Sequence, residues 1–333
     1  MKSASPTITI RDVAALAGVS VATVSKYVNG TQRFSPAVEA RLKDAIEELG
    51  YRSNPLARSM ITGRTRTIGV AILDIANPHF TNVVKGANRA ALEHDYTLLL
   101  VDTEENPARE RSLIQALAPR VDGLIISSRA SEEMASWMLE LDKPVVMLRR
   151  VQGLAIPNIG FDNRLAAYML ARHLLNLGHQ HIAYLGFGGA TINDDRIEGA
   201  RDALAESGFA LDVYDTHEPT AQAGEQACSR ILLGPNRPQA VICYNDLIAL
   251  GFMKEAKSLG FRLPQDVSVA GIDNVPYGEY VEPRLTTIDT QSQKMGELAV
   301  QKLIDALAGR ADVGHVILEP RLVVRDSTAI HTA

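Results

Sequence analysis

A chain of 333 residues, 46% hydrophobic and 22% charged, is long enough for two or three domains and a large buried core. Its two cysteines, Cys228 and Cys243, make neither a disulfide framework nor a metal cluster, and no apolar run reaches the ~18 residues of a membrane span. The net charge of −5 hides an asymmetry: residues 1–66 carry ten Lys and Arg against five Asp and Glu, and the remainder 24 against 34. That suits a protein meeting a polyanion with one end only. The polar run from Lys2 to Thr9 lacks a leader pattern, so a cytoplasmic protein is expected.

The first elements are short. Thr9 can cap a helix with Asp12 near its positive end, Val13, Ala14, Leu16 and Ala17 supply an apolar face, and Gly18 permits reversal. Ser20 caps a second helix that Asn29 and Gly30 end. Two such helices cannot bury a core alone. Ser35-Pro36 opens a third, with Val38, Leu42, Ala45, Ile46 and Leu49 apolar before Gly50. The pattern predicts a helix-turn-helix head for DNA, the alternative being a generic three-helix cap.

After Thr67 strands and helices alternate. IGVAIL from Ile68, TLLLV from Thr97, GLIIS from Gly123 and PVVML from Pro144 are predicted buried strands, with helices over Phe80–His94, Arg109–Ala118 and Glu132–Leu141 between them. A second set follows: helix Leu165–Leu177, strand HIAYLG from His181, helices Arg196–Ser207 and Ala221–Leu233, strand AVICY from Ala240, helix Leu247–Leu259, strand VSVAGI from Val267 and helix Lys294–Leu307. Two βα sets predict two doubly wound lobes with a ligand between them, beyond the C-terminal strand ends. Polar residues gather at those ends: Asp74, Asp102, Thr103, Ser127, Ser128, Arg129, Arg149, Arg150, Asp162, Asn163, Asn245, Asp246, Asp273 and Asn274. Capping explains any one of them; together they suit a ligand rich in hydroxyls or bearing an acid group. His179, His181 and the Gly186-Phe-Gly-Gly run are weak signals, best taken as a solvated turn and an ordinary loop, and Trp137 as packing.

DVAALAGVSVATVSKYVNG, YRSNPLARSM, NPHF, DGLI, GFDN, LGHQHIAYLG, YNDLIALG and IDNVPYGEYVEPRLTTI occur in an order that resembles the lac repressor/galactose repressor family of bacterial transcription regulators, from Thr9 to Asp326. The resemblance implies an all-α head (1–52), a hinge helix and linker (53–66), and an α/β two-lobed body (67–333) with doubly wound parallel sheets, like periplasmic binding proteins. The N-lobe is placed at about 67–160 and 291–319 and the C-lobe at about 161–290 and 320–330, with crossings near Gly160, Thr290 and Glu319.

It also assigns roles. Ser20–Val28 would enter the major groove, with Val21 and Ala22 discriminating between operators and Lys26 in place of the usual arginine, which loses the bidentate fork for guanine. Thr23, Ser25 and Asn29 are candidate phosphate contacts, and Ser20, the cap, is a further candidate DNA-binding residue. Asn54 and Pro55 would open a hinge helix containing Ala57, Arg58 and Met60, with Met60 wedged into the minor groove or packed on its twin. The implied effector residues are His79, Phe80, Ser128, Arg149, Arg150, Asp162, Arg196, Asn245 and Asp273. Arg196 is taken to open its helix, so dipole compensation does not account for it. Arg149-Arg150 stands where the family commonly has Asp-Arg, and Pro219 where many members have a ring. Both departures favour a sugar acid or phosphorylated sugar over a neutral sugar or purine, unless Arg149 pairs internally with Asp102 or another cleft carboxylate.

No cofactor, metal or catalysis is expected, only an effector, operator DNA and a twin subunit. Without leucine heptads after Asp326, a homodimer is expected. The rival readings are a solute-binding protein and a glycoside hydrolase using Asp162 and Asp273.

Overall fold

The computed structural model describes residues 8–51, 63–129, 136–149, 155–310 and 314–331. Two compact units, Met1–Arg66 and Thr67–Ala333, make up the chain. The predicted hinge residues Asn54, Ala57, Arg58 and Met60, and the predicted cleft residue Arg150, lie outside the described residues.

In the head, α1 (Ile10–Ala17), α2 (Val21–Val28) and α3 (Pro36–Leu49) enclose Val13, Ala14, Ala17, Val24, Leu42 and Ala45. The Asp12 carboxylate accepts from the Thr9 amide and hydroxyl, each at 2.8 Å. The Ser20 hydroxyl accepts from the Thr23 amide at 3.1 Å, satisfying one orphan donor of α2. Gly18 turns the chain at φ +63°, which a side chain would resist. Leu16 is 46% exposed and does not join this core, because the face that buries Val13 and Ala17 turns it outward.

The body holds two six-stranded sheets. The first contains β1 (Thr67–Ile72), β2 (Thr97–Asp102), β3 (Gly123–Ile126), β4 (Val145–Met147), β5 (Asn158–Phe161) and β11 (His315–Leu318), ordered β11-β5-β4-β3-β1-β2. The second contains β6 (Ile182–Phe187), β7 (Leu211–Thr216), β8 (Ala240–Cys243), β9 (Ser268–Ile272), β10 (Thr286–Asp289) and β12 (Arg321–Val323), ordered β12-β10-β9-β8-β6-β7. Every pairing is parallel except that of β10 with β12. The chain passes between the sheets after Phe161, after Asp289 and after Leu318. Strands β7, β10, β11 and β12 were not among the predicted elements. β7 and β11 have half-exposed, alternating patterns and β12 has three residues, so none carries the apolar run of a buried parallel strand.

Helices α4 (Pro78–Glu93), α5 (Pro107–Leu117), α6 (Asn163–Asn176), α7 (Ile192–Ala205), α8 (Ala221–Leu232), α9 (Asp246–Ser258), α10 (Tyr277–Tyr280) and α11 (Ser292–Leu307) cover the sheets. Helices α4 and α5 start earlier than periodicity predicts, because Asn77-Pro78 and Asn106-Pro107 each provide a cap and a first-turn proline. α11 returns to the first lobe and meets α4 at mutual glycines: a Cβ on Gly86 would lie 1.9 Å from Gln293 O, and one on Gly296 2.0 Å from Val83 O. Trp137 sits on a short 3₁₀ turn, Ser136–Glu140, with the Arg111 guanidinium over its ring. Among the described residues no helix is long and apolar enough to cross a membrane.

Candidate functional site

On the head, Ser20, Val21, Ala22 and Lys26 are exposed along α2, and Thr23, Ser25 and Asn29 are partly covered. Val21 is 42% exposed although β-branched and apolar, so α2 presents a small apolar tip flanked by hydroxyls and one ammonium. The Asn29 amide leans back on the Ser25 hydroxyl at 3.4 Å. A helix N-terminus of this kind suits thymine methyls and phosphate oxygens.

In the body, the strand ends of the two lobes enclose a cavity of about 310 Å³, within the ~300–1,000 Å³ range of small-molecule clefts. The first lobe contributes His79, Phe80, Ser128, Arg129, Arg149 and Asn158. Ser128 donates to the Glu110 carboxylate at 2.5 Å, and Arg149 Nη1 donates across the cleft to Thr191 Oγ1 at 2.8 Å. Glu110 is 4% exposed; burial raises its carboxyl pKa, against the opposing pull of the Ser128 hydroxyl and the Arg149 charge. Burial also lowers the pKa of Arg149, with Glu110 offsetting part of that. The carboxylate acting on Arg149 is therefore Glu110 and not Asp102, whose oxygens accept from the amides of Ile75 and Glu104.

The second lobe contributes Asp162, Asn163, Thr191, Arg196, Tyr244, Asn245 and Asp273. Asp162 caps α6 through the Leu165 amide at 2.9 Å, and Asn245 caps α9 through the Ile248 amide at 2.8 Å while donating to Pro219 O. Capping fixes both side chains at the cavity wall. Asp273 directly follows β9 at φ +129°, with Asn274 next at +55°; this sparsely populated backbone sets its carboxylate 3.3 Å from His79 Nδ1 in the other lobe.

Arg196 does not open its helix. α7 begins at Ile192, and Arg196 stands one turn in, 3% exposed. Its Nε donates to Asn163 Oδ1 at 2.9 Å, its Nη1 donates to Tyr244 O, and its guanidinium lies 4.5 Å from the Tyr244 ring centroid. These hydrogen-bond acceptors are neutral.

Residues 9–54 match the bacterial regulatory proteins of the lacI family, and residues 171–328 match the periplasmic binding protein-like domain. Over 331 residues the chain is 36% identical to the HTH-type transcriptional regulator GalS of Salmonella typhimurium, covering 97% of both proteins. The chain belongs to the lacI family. Two solved structures agree: the lac repressor dimer bound to operator and the anti-inducer ONPF (TM-score 0.89, 27% identity, 97% of this chain and 99% of that one) and the transcriptional regulator CelR–cellobiose complex (0.72, 29%, 96% and 99%). As a lacI-family protein it is a DNA-binding transcriptional regulator, and the curated relatives it matches are regulators and not enzymes.

In this lacI-family chain the structure brings His79, Phe80, Ser128, Arg149, Asp162, Arg196, Asn245 and Asp273 to one cavity. Tyr244, Thr191, Asn158 and the flanking Glu110 were not singled out from sequence. Tyr244 directly precedes a predicted site residue and carried a findable signal; Glu110 sits mid-helix and carried none. Asp74 and Asp102 serve turns instead. His179 is buried, its Nε2 3.0 Å from Ala329 O, and is not a solvated turn. The Gly186–Gly189 loop gives its Gly188 amide to Asp215 at 2.7 Å, so that amide is already used.

Proposed function

We propose that the interlobe cavity binds a carbohydrate effector carrying an acid group, a sugar acid or phosphorylated sugar, and that this binding sets operator affinity. Arg196 carries the reading. It is a buried cation on the cavity wall whose hydrogen-bond acceptors are an amide oxygen and a carbonyl, so among the described residues its charge has no carboxylate partner and suits an anionic ligand group. Asp162, Asp273 and Asn245 supply acceptors for hydroxyls around it. Arg149 adds positive potential from the opposite wall, tempered by Glu110.

The protein acts in the cytoplasm as a homodimer on a pseudo-palindromic operator, needing no cofactor or metal. α2 enters the major groove with Val21 and Ala22 on base edges and Lys26 beside them, while Ser20, Thr23, Ser25 and Asn29 hold phosphates. The sequence candidates Asn54, Ala57, Arg58 and Met60 take the DNA-contacting role, and Arg150 the effector-contacting role, that the family resemblance implies. Effector binding changes the lobe angle, and the coupling is reciprocal, so operator DNA shifts effector affinity by the same factor.

The test is a thermal-shift screen of the full chain against D-gluconate, D-glucose 6-phosphate, D-galactose, cellobiose and hypoxanthine. A ligand at a hundred times its Kd stabilises by ~2.7 kcal/mol. A shift with the anionic sugars alone supports the reading. One with galactose, cellobiose or hypoxanthine alone overturns the effector class and leaves the DNA-binding assignment intact.

A further inference from the structure

The cavity occupies only one side of the cleft. In each sheet the strands run from an edge beside the three crossings (β11 and β5, β12 and β10) to a free edge, β2 or β7. The cavity wall is built from segments following β1, β3 and β4, from β5 with the residues after it and β11, from segments following β6, β8 and β9, and from Met295 of α11; among the described residues none between β2 and β3 or between β7 and β8 contributes. The cavity therefore lies toward the crossings, away from the mouth between the free edges.

A second cluster stands between cavity and mouth. Arg129, after β3, donates through Nη2 to Glu105 Oε1 at 2.6 Å and through Nε to the other oxygen of the same carboxylate. Its Nη1 donates to the Tyr244 hydroxyl at 3.2 Å, and its guanidinium lies 5.0 Å from the Phe187 ring centroid. Phe187 in turn meets Tyr244 edge-on, centroids 5.8 Å apart. Arg129 and Glu105 belong to the first lobe, Tyr244 and Phe187 to the second. The Arg129 and Glu105 side chains are only 10% and 19% exposed, so the cluster bridges the two lobes at this point with little water access.

The Glu105 side is held firmly. Glu104 and Glu105 have φ of 52° and 53°, a left-handed pair of non-glycine residues that persists only where surroundings over-determine it. Asp102 accepts from the amides of Ile75 and Glu104, and the Glu105 amide donates to Leu73 O at 2.7 Å. Glu105 neutralises Arg129 in a bidentate pair, so this arginine serves the barrier and is not a second anion site.

We infer that Arg129 and Glu105, closing on Tyr244 and Phe187, form a gate that limits the effector to a single sugar unit. The inference rests on the carbohydrate reading above and adds a size limit to it. A second unit would have to occupy the space that the ion pair and the two rings fill. Tyr244 belongs to both structures, since the ring whose hydroxyl meets Arg129 also lies under the Arg196 guanidinium.

The test compares full-length wild type with the double variant Arg129→Gln/Glu105→Gln, which removes both charges so that neither is left buried alone. The probes are matched pairs: D-gluconate with lactobionate, D-glucose 6-phosphate with trehalose 6-phosphate, and D-galactose with lactose. In wild type the one-unit member of the binding pair should shift the melt, and its two-unit partner should bind at least about tenfold more weakly. In the double variant that ratio should shrink by about tenfold or more. Tyr244→Phe, which removes one hydroxyl and keeps the ring, should move the ratio the same way by less. Equal binding of both members by wild type overturns the gate while sparing the carbohydrate reading, and so does an unchanged ratio in both variants. If no pair binds to any of the proteins, the carbohydrate reading falls and the gate falls with it.

Discussion

Arg196 and Tyr244 form one unit: the guanidinium lies 4.5 Å from the ring centroid and donates to the carbonyl of the same residue. The stack orients the cation toward the cavity and shields it from water. A buried cation–π contact is worth ~2 kcal/mol or more.

Replacing Arg196 by lysine keeps the charge but loses the planar fork and the stack. Arg196→Lys is expected to weaken effector binding by tenfold or more, about 1.4 kcal/mol, and to lower body stability by ~1–3 kcal/mol. Calorimetric titration and urea denaturation read the two effects. Wild-type affinity in the variant would show that charge alone suffices.

At the α4–α11 contact, Gly296→Ala forces a methyl into the space of Val83 O. Overpacking of this kind costs ~1–3 kcal/mol, and each kcal/mol lowers Tm by ~2–4 °C in a domain of 150–250 residues. Scanning calorimetry should show the loss in the body transition; an unchanged Tm would mean that the helices separate freely.

Asp246 is fully buried, with Oδ1 accepting from the Thr287 hydroxyl at 2.5 Å and Oδ2 from the Val275 amide at 2.8 Å. Burial, with Asp273 nearby, pushes its carboxyl from 3.8 up to about 7. The folded state thus favours the neutral acid, and stability is lost as pH rises from about 4 to about 7. The loss is bounded by about 4 kcal/mol at ~1.36 kcal/mol per unit. Asp246→Asn should flatten this part of the profile, measured by urea denaturation at pH 5 and pH 7.5. Parallel profiles for the two proteins would refute the assignment.

In the head, Ser20→Ala removes the α2 cap and is expected to cost ~1 kcal/mol of head stability. Lys26→Gln should leave stability alone and reduce the salt slope of operator binding by ~1. Fluorescence anisotropy across a salt series, on an operator selected from random DNA, gives the slope. A slope equal to wild type would place the Lys26 ammonium outside the groove, where it displaces no condensed counterion.

The head and the alternation of the body are legible in the sequence because their signals are local. Ser20 caps a helix three residues away, Gly18 supplies a positive φ, and the apolar strands of IGVAIL, GLIIS and AVICY need no knowledge of their neighbours. The strand-end residues Asp162, Asn245 and Asp273 are legible for the same reason, since polar groups at C-terminal strand ends of doubly wound sheets face the cleft.

What each polar group meets was decided by the tertiary structure. Arg149 feels the charge of Glu110 and donates to Thr191, Arg196 rests on Tyr244, and Arg129 reaches Tyr244 from 115 residues away along the chain. These pairings depend on strand order and on three crossings between the sheets, which bring distant segments within hydrogen-bond reach. Residue types and spacing determined which groups stand at the strand ends. Which charges are neutralised there, and which remain for a ligand, follows only from the assembled lobes, because electrostatic and hydrogen-bond partners are set by distances of a few ångströms that local sequence does not encode.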